Sequence, residues 1–237
     1  MADSPSTDPL RRLVEISSHD LRTPLSVILV NAAMLSRNEV MDDARRIKVA
    51  TRILTNVVRM NRMLGDLFDL AFAQMGIAVT AKWADLDLGA LLDKTVEETR
   101  AAYPGRGMVV DRFGDLHGQW DQERLLRALG TMVAVAFKLG LPTEPLRLTC
   151  TSNTEESPIE INVETAANPS LGEHPQRLFA AVKSGGGIEK LEKDGQWISL
   201  WALQHTVEGH RGTLQLSASS SEGIRFSVRL PRRPFQG

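Results

Sequence analysis

The sequence predicts an α + α/β fold: an N-terminal helical hairpin that forms a dimeric four-helix bundle, followed by an α/β sandwich. Two observations favour this fold class. Residues 10–75 contain one proline, Pro24, and one glycine, Gly65, whereas residues 76–237 carry every other glycine and most of the prolines. Apolar residues recur at helical spacing in the first segment and alternate in short runs in the second.

Two apolar stripes at a spacing of three and four residues predict the two helices of the hairpin. The first stripe consists of Val14, Leu21, Leu25, Ile28, Ala32 and Leu35. The second consists of Ile47, Leu54, Val57, Leu64, Leu67 and Ala71. A polar break at 38–43 separates them. Two helices of about 45 Å cannot bury their apolar faces alone, so a homodimer is expected.

The second segment mixes predicted helices with predicted strands, as in a sandwich of one helical layer on one sheet. Helices are predicted over 86–100, 121–139 and 196–207, and strands over 108–112, 146–150, 159–164, 213–217 and 224–230. The predicted organisation is a flexible N-terminus (1–7), the hairpin (8–76), a linker (77–84), the α/β domain (85–233) and a tail (234–237).

Composition excludes several classes of protein. The chain has 237 residues, with 28 Lys and Arg against 29 Asp and Glu, so nucleic-acid binding through phosphates is not expected. A single cysteine, Cys150, rules out a disulfide within the chain and favours a reducing, cytoplasmic setting. No apolar run reaches the length of about 18 residues that a membrane-spanning helix needs, so no span is expected in this chain.

His19 is the residue of the first helix with chemical potential. At 100° per residue it points about 160° away from Leu21, onto the solvent face. Asp20 follows it, Thr23 lies one turn further on, and Pro24 removes a backbone donor beside them. An exposed imidazole next to a carboxylate suits a nucleophile that attacks phosphorus. A solvated surface histidine is the alternative that spacing alone leaves open.

Residues 15–25, which read EISSHDLRTPL, resemble the phosphoacceptor box of two-component sensor histidine kinases. The resemblance implies that His19 accepts the phosphoryl group and that Asp20 assists proton transfer. Thr23 matches the residue that positions water in family members with phosphatase activity. Arg22 and Ser26 are expected to bind the partner.

The resemblance continues more weakly through the second half. Four segments resemble parts of the family's ATP-binding domain: 85–92 (DLDLGALL), 121–125 (DQERL), 207–212 (VEGHRG) and 223–231 (GIRFSVRLP). They fix a frame in which the family's nucleotide-binding motifs can be located.

The family's asparagine motif departs from the pattern. Its two asparagines fall at Thr131 and Val135, while Ala136 and Lys138 still match. By resemblance, the residue at Val135 holds Mg²⁺ near the phosphates. Magnesium needs oxygen ligands, and valine has none.

The two glycine motifs also depart from the pattern. The first reads TAANP at 165–169, so Thr165 replaces the aspartate that accepts from the adenine amino group, and both glycines are lost. Glu164 is an offset substitute if the strand shifts by one residue. The second reads GQWIS at 195–199, which places Trp197 where backbone approaches phosphate.

Other motifs carry weaker signals. The run SGGG at 184–187 fits a flexible loop better than a phosphate cradle. Phe179 resembles an aromatic position between the glycine motifs, and a core aromatic is the equal alternative. No metal spacing links Cys150 to the remaining histidines, which are interpreted as surface or capping residues: His117, His174, His205 and His210.

Three functions compete on this evidence. The first is a histidine phosphotransferase that exchanges phosphate between His19 and the aspartate of a response-regulator receiver domain, with ATP binding lost and no intrinsic cofactor. Mg²⁺ would come from the receiver, and an upstream hybrid kinase is a further candidate partner. The second is an active sensor kinase with divergent ATP contacts. The third is a non-catalytic scaffold that binds a receiver or a kinase.

Overall fold

The computed structural model describes residues 9–37, 41–75, 81–154, 156–183, 196–219 and 221–233, with backbone alone at 9–20, 73–74, 181, 183 and 196–197. The chain divides into two compact units, of which the first holds the helical hairpin and the second holds the strands. Among the described residues, no helix has the length and apolar character needed to cross a membrane.

The hairpin consists of α1 (Pro9–Ser36) and α2 (Asp43–Gln74), 28 and 32 residues long. Both helices and their lengths agree with the prediction from the apolar stripes. Residues 38–40 of the predicted break lie outside the described residues. Asp42 opens the second helix, because its Oδ1 accepts a hydrogen bond from the backbone N–H of Arg45 at 2.7 Å.

The inside of the hairpin differs from the predicted stripes. Pro24 and Asn31 are buried on α1, and Val49 and Leu70 are buried on α2. Several stripe residues and their neighbours instead remain exposed, among them Leu25, Leu29, Leu35, Ile47, Leu54, Val57 and Phe68. The hairpin therefore presents an apolar face that its own two helices do not cover.

The second unit alternates strands and helices. Its helices are α3 (Leu88–Ala102), α4 (Gln122–Leu139), α5 (His174–Lys183) and α6 (Gln196–Gly209), with a short 3₁₀ turn at Pro169–Leu171. Its strands are β1 (Trp83–Asp87), β2 (Met108–Phe113), β3 (His117–Asp121), β4 (Leu146–Thr151), β5 (Ile159–Thr165), β6 (Thr213–Ser219) and β7 (Gly223–Leu230).

Five strands form one mixed sheet in the order β2-β4-β5-β7-β6. β2 and β4 run parallel, and the other neighbours run antiparallel. Burial alternates along β4 and β5, so one face of the sheet is covered, and α4 packs on β4, β5 and β7. Leu148, Ile161, Val163 and Phe226 are among the fully buried core residues. The α/β sandwich expected from the sequence is therefore confirmed.

Three elements were not predicted. β1 and β3 form a separate antiparallel pair in which Trp83 lies opposite Asp121. β1 takes its first two residues from the segment predicted as linker, and its last two from the segment predicted as helix. The third element is helix α5, which contains Phe179.

Arg232, just after β7, joins several loops through its guanidinium. Nη1 donates to Asp115 Oδ2 at 2.9 Å and to the His117 carbonyl at 2.6 Å. Nη2 donates to Ser152 Oγ at 2.7 Å, and Nε donates to the Ser157 carbonyl at 3.1 Å. Only 10% of the Arg232 side chain is exposed, and its bonds to Ser152 and Ser157 are partly shielded from water.

We expect Arg232→Ala to lower the free energy of unfolding by about 2–3 kcal/mol, because it removes the donor to several acceptors at once, among them the partly buried Ser152 Oγ and Ser157 carbonyl. Urea denaturation followed by circular dichroism measures this change. Arg225→Ala is the matched control: Arg225 pairs with Glu164 on an exposed surface, and its loss should cost at most about 0.5 kcal/mol. Equal effects of the two substitutions would contradict the role of Arg232.

Candidate functional site

The segment predicted as the phosphoacceptor box lies within α1, which runs without interruption through Pro24. His19 and Asp20 are part of its helical backbone, and their side chains lie outside the described residues. Pro24 is buried and has no N–H to donate to the carbonyl four residues earlier, that of Asp20. The Asp20 carbonyl, next to the predicted acceptor histidine, therefore receives no helical hydrogen bond from residue 24.

The described part of the box is open to solvent. Arg22 and Thr23 are exposed, and so is Ser26, whose Oγ donates to the Arg22 carbonyl at 2.9 Å. This bond directs the Ser26 hydroxyl toward its own helix. Thr23 remains available at the surface of α1, as its predicted role requires. The roles assigned to these three residues, and to His19 and Asp20, stay predictions.

In the second unit, Asp121 caps the start of α4. Asp121 Oδ1 accepts from the Arg124 N–H at 3.1 Å, and Oδ2 accepts from the Lys82 N–H at 2.9 Å. The N–H of Asp121 donates to His210 Nε2 at 3.0 Å. The DQERL segment therefore begins a helix, and its frame can be followed along α4.

His210 is a structural residue of the core. It is 3% exposed, and its Nδ1 donates to the Thr206 carbonyl at 2.7 Å while Nε2 accepts from Asp121. Burial lowers its pKa below 6.5, so the ring is held neutral, as its acceptor role demands. The prediction of a surface or capping residue holds for capping, since the His210 ring binds the last-turn carbonyl of Thr206. It fails for the surface, since the residue is buried and its bond to Asp121, 89 positions away, leaves no signal in sequence spacing.

The two positions of α4 that correspond to the family's asparagine motif are buried. Thr131 is 2% exposed and Val135 is 4% exposed. The Val135 side chain packs within the core and offers no oxygen to a cation. Lys138, which still matches the family, is exposed at the end of the same helix.

The first glycine motif follows β5 and packs tightly on the end of α4. Thr165 is 7% exposed, and its Oγ1 is buried without a hydrogen-bond partner. Ala167 bridges to Gly140, and a Cβ at Gly140 would stand 2.4 Å from Thr165 Cγ2. Gly140 therefore leaves space that the Thr165 side chain fills. The last position of the motif, Pro169, opens the 3₁₀ turn and has no glycine-like freedom.

The remaining nucleotide motifs are only partly described. Gly195 and the glycine run 184–187 lie outside the described residues. α6 begins at Gln196, so Trp197 falls in its first turn. Phe179 is 3% exposed and meets Phe226 edge to face at 5.4 Å between ring centroids, which makes it a core aromatic.

At two positions the residues differ from those that the resemblance assigns to contacts with a magnesium nucleotide. Where the family has an amide oxygen for the cation, Val135 presents a buried hydrocarbon. Where it has a carboxylate for the adenine amino group, Thr165 presents a buried hydroxyl. Sequence reasoning missed Gly140, because a glycine that makes room for a distant side chain leaves no local signal.

Other reactive side chains have structural surroundings. His117 Nδ1 lies 2.8 Å from Asp115 Oδ1, a hydrogen bond that raises the pKa of this exposed histidine. His205 stacks on Trp201 at 4.5 Å. Burial raises the pKa of Cys150 to about 12, so its thiol stays protonated. Across the described ranges, no group of three His, Cys, Asp or Glu residues could hold a metal ion.

Comparison with known proteins identifies the helical hairpin. Residues 10–76 match the family model for the His Kinase A (phospho-acceptor) domain. The bacteriophytochrome of Pseudomonas aeruginosa is 28% identical over 224 residues, which cover 94% of this chain and 30% of that protein. Sensor histidine kinase CusS of Escherichia coli O157:H7 is 25% identical over 218 residues, or 91% of this chain and 44% of that protein.

A solved structure shares the fold. Acinetobacter baumannii histidine kinase AdeS matches with a TM-score of 0.53 at 15% identity, over 90% of this chain and 98% of that chain. The hairpin is thus similar to a phospho-acceptor domain, and the chain as a whole shares the fold of a histidine kinase. Over more than nine-tenths of its length the chain is similar in sequence to a sensor histidine kinase. The chain spans less than half the length of these curated relatives.

The neutral state of His210 makes stability depend on pH. Its pKa is lower in the folded than in the unfolded chain, so the unfolded chain binds a proton first as pH falls. We expect the free energy of unfolding to decrease below about pH 6.5, the ordinary histidine pKa. The measurement is urea denaturation of the wild type and His210→Gln between about pH 7.5 and pH 5. The stability difference between them should shrink toward low pH, and a constant difference would contradict this account.

Proposed function

We propose that this chain is a histidine phosphotransferase that carries phosphate on His19 and exchanges it with an aspartate of a response-regulator receiver domain. The observation that carries the proposal is a contrast between its two units. The hairpin keeps an uninterrupted acceptor helix within a phospho-acceptor domain. In the α/β unit, buried Val135 and Thr165 occupy the positions of the nucleotide contacts.

The proposed transfer requires little from this chain beyond His19 and its neighbour. A neutral ring nitrogen of His19 attacks phosphorus of the aspartyl phosphate. The P–N bond forms as the P–O bond to the aspartate breaks, and the electron pair leaves on the receiver carboxylate. Asp20 accepts or holds the proton of the other ring nitrogen. Mg²⁺ would be held by the receiver, whose phosphorylation site supplies the oxygen ligands.

We propose that a second copy of the chain covers the apolar face of the hairpin. Leu29 on α1 is 61% exposed, and Ile47 and Leu54 on α2 are 66% and 63% exposed. Side chains of this size in a continuous stripe favour burial against an equivalent stripe. Pairing two hairpins produces the four-helix bundle expected from the sequence.

The proposed loss of ATP binding rests on the energy of the missing contacts. A hydrogen bond to a charged acceptor contributes about 1.5–3 kcal/mol, or about ten- to a hundred-fold in affinity. Replacing the adenine-binding aspartate by Thr165 removes one such bond. Val135 removes a ligand of the metal that screens the phosphates. The two losses act on opposite ends of the nucleotide, so their effects should add.

An active sensor kinase is the second candidate function. It is favoured because the sequence similarity to a sensor histidine kinase extends over 91% of this chain. The similar region therefore includes the α/β unit as well as the hairpin. In that case other contacts would replace those lost at Val135 and Thr165. A non-catalytic scaffold is the third, and the complete acceptor box argues against it.

Nucleotide titration separates the first two functions. We expect no saturable binding of ATP with Mg²⁺ up to about 1 mM, the upper end of ordinary substrate affinities. Isothermal titration calorimetry on the whole chain measures it, and incubation with γ-labelled ATP tests for label on His19. Mg²⁺-dependent saturation together with label that disappears in His19→Ala would establish the active kinase instead.

Phosphotransfer tests the proposed activity directly. Purified receiver domains, phosphorylated with acetyl phosphate, should transfer label to the wild type and not to His19→Ala. Thr23→Ala should keep most of the transfer and slow the release of inorganic phosphate, because Thr23 is assigned to water and not to phosphorus. Transfer that persists in His19→Ala, or that is lost in Thr23→Ala, would contradict the assignment of these residues.

A further inference from the structure

Where the chain enters the α/β unit, its first residues pack on a buried histidine. The Trp83 ring meets the His210 ring edge to face, with 5.1 Å between ring centroids. One position earlier, the Lys82 N–H donates to Asp121 Oδ2 at 2.9 Å, while the Asp121 N–H donates to His210 Nε2 at 3.0 Å. Lys82, Trp83, Asp121 and His210 therefore form one connected group, which we call the entry cluster.

The entry cluster requires a neutral imidazole. Nδ1 of His210 donates to the Thr206 carbonyl at 2.7 Å, so Nε2 must carry a lone pair to accept from the Asp121 N–H. A proton on Nε2 would place two donors opposite each other and remove this bond. Burial lowers the pKa of His210, in agreement with a neutral ring in the closed cluster.

Two charged side chains among the described residues act on the His210 ring, both from the start of α4. The Asp121 carboxylate favours protonation of the ring, and the Arg124 guanidinium opposes it. β1 contributes the uncharged ring of Trp83, while Lys82 beside it is exposed. Because the two charges have opposite effects and burial has the largest one, access of water to the ring decides whether His210 takes up a proton.

β1 is a weakly supported part of the entry cluster. It pairs with β3 in a two-stranded sheet that is separate from the five-stranded one. Its first three residues, 83–85, are exposed. Its other end leads into Leu88, which is fully buried and holds that end to the core. Two-stranded pairs are marginally stable on their own, so we expect local opening to begin at Lys82 and Trp83 rather than in the main sheet.

We infer that the entry cluster is a pH-sensitive switch at the start of the α/β unit, in which a proton on His210 favours release of Lys82 and Trp83. In the closed state Trp83 covers the neutral ring and the Lys82 N–H is bound to Asp121. In the open state both residues are in water, and the uncovered His210 behaves as an ordinary histidine. Because the open state binds a proton more readily, acid shifts the population toward it below about pH 6.5.

The released residues belong to the connection between the two units. Residues 75–81 separate the end of α2 from Lys82. Release of Lys82 and Trp83 lengthens this connection by two residues, or up to about 7 Å. A longer connection changes the effective concentration of one unit at the other. The switch therefore acts on any reaction in which both units take part, and it does not depend on phosphotransfer.

The test is hydrogen exchange of single amides, followed by NMR on the whole ¹⁵N-labelled chain between about pH 7.5 and pH 5. His210→Gln is the diagnostic variant, because a glutamine carbonyl can still accept from the Asp121 N–H but takes up no proton. His117→Gln is the matched control, which removes an exposed histidine of β3. The amides of Leu148 and Ile161, in the core of the main sheet, report unfolding of the whole unit.

In the wild type, the protection of the Lys82 amide should fall by up to about ten-fold for each pH unit below about 6.5. The protection of Leu148 and Ile161 should change less. The fall at Lys82 should be absent in His210→Gln and retained in His117→Gln. If His210→Gln does not fold, the C2–H resonance of His210 in the wild type provides the test: protection at Lys82 must fall toward the midpoint of that titration and level off below it.

Three outcomes would overturn the inference. If acid lowers protection equally at Lys82 and in the main sheet, the whole unit unfolds and there is no local switch. If Lys82 loses protection to the same extent in His210→Gln, another group takes up the proton. If His210 titrates in the wild type while Lys82 stays protected, proton uptake does not release the first residues of the unit.

Discussion

The organising constraint of the hairpin is that two antiparallel helices can bury only one side of each other. Pro24 and Asn31 are buried on α1, and Val49 and Leu70 are buried on α2, while large apolar side chains of both helices remain exposed. These exposed side chains are the surface that we propose a second copy of the chain covers.

The α/β unit has the fold of histidine kinase ATP-binding domains, and the proposed loss of nucleotide contacts need not disturb it. The bond between His210 and Asp121, the cap of α4 and the five-stranded sheet hold the frame in place. None of these features depends on a bound nucleotide. A domain whose core is independent of its ligand can lose the ligand and remain folded, which explains how this unit tolerates the residues found at Val135 and Thr165.

The sequence allowed prediction of the long helices and of most strands, because their periodicity extends over many residues. It did not allow prediction of β1 and β3, whose short pairing joins residues 30 to 38 positions apart. The acceptor box could be located because eleven adjacent residues resemble one motif. The roles of His210 and Arg232 could not be located, since both depend on carbonyls and amides brought together by the fold.

The Thr165 side chain fills the space that a side chain at Gly140 would need, and this restricts which residues position 140 can hold. With a Cβ at residue 140, Thr165 would have to change its rotamer or be replaced. A side chain at residue 140 would also stand 2.7 Å from the Ala136 carbonyl oxygen, so shrinking residue 165 alone would not make room for it. The glycine is therefore required both by the Thr165 side chain and by the last turn of α4.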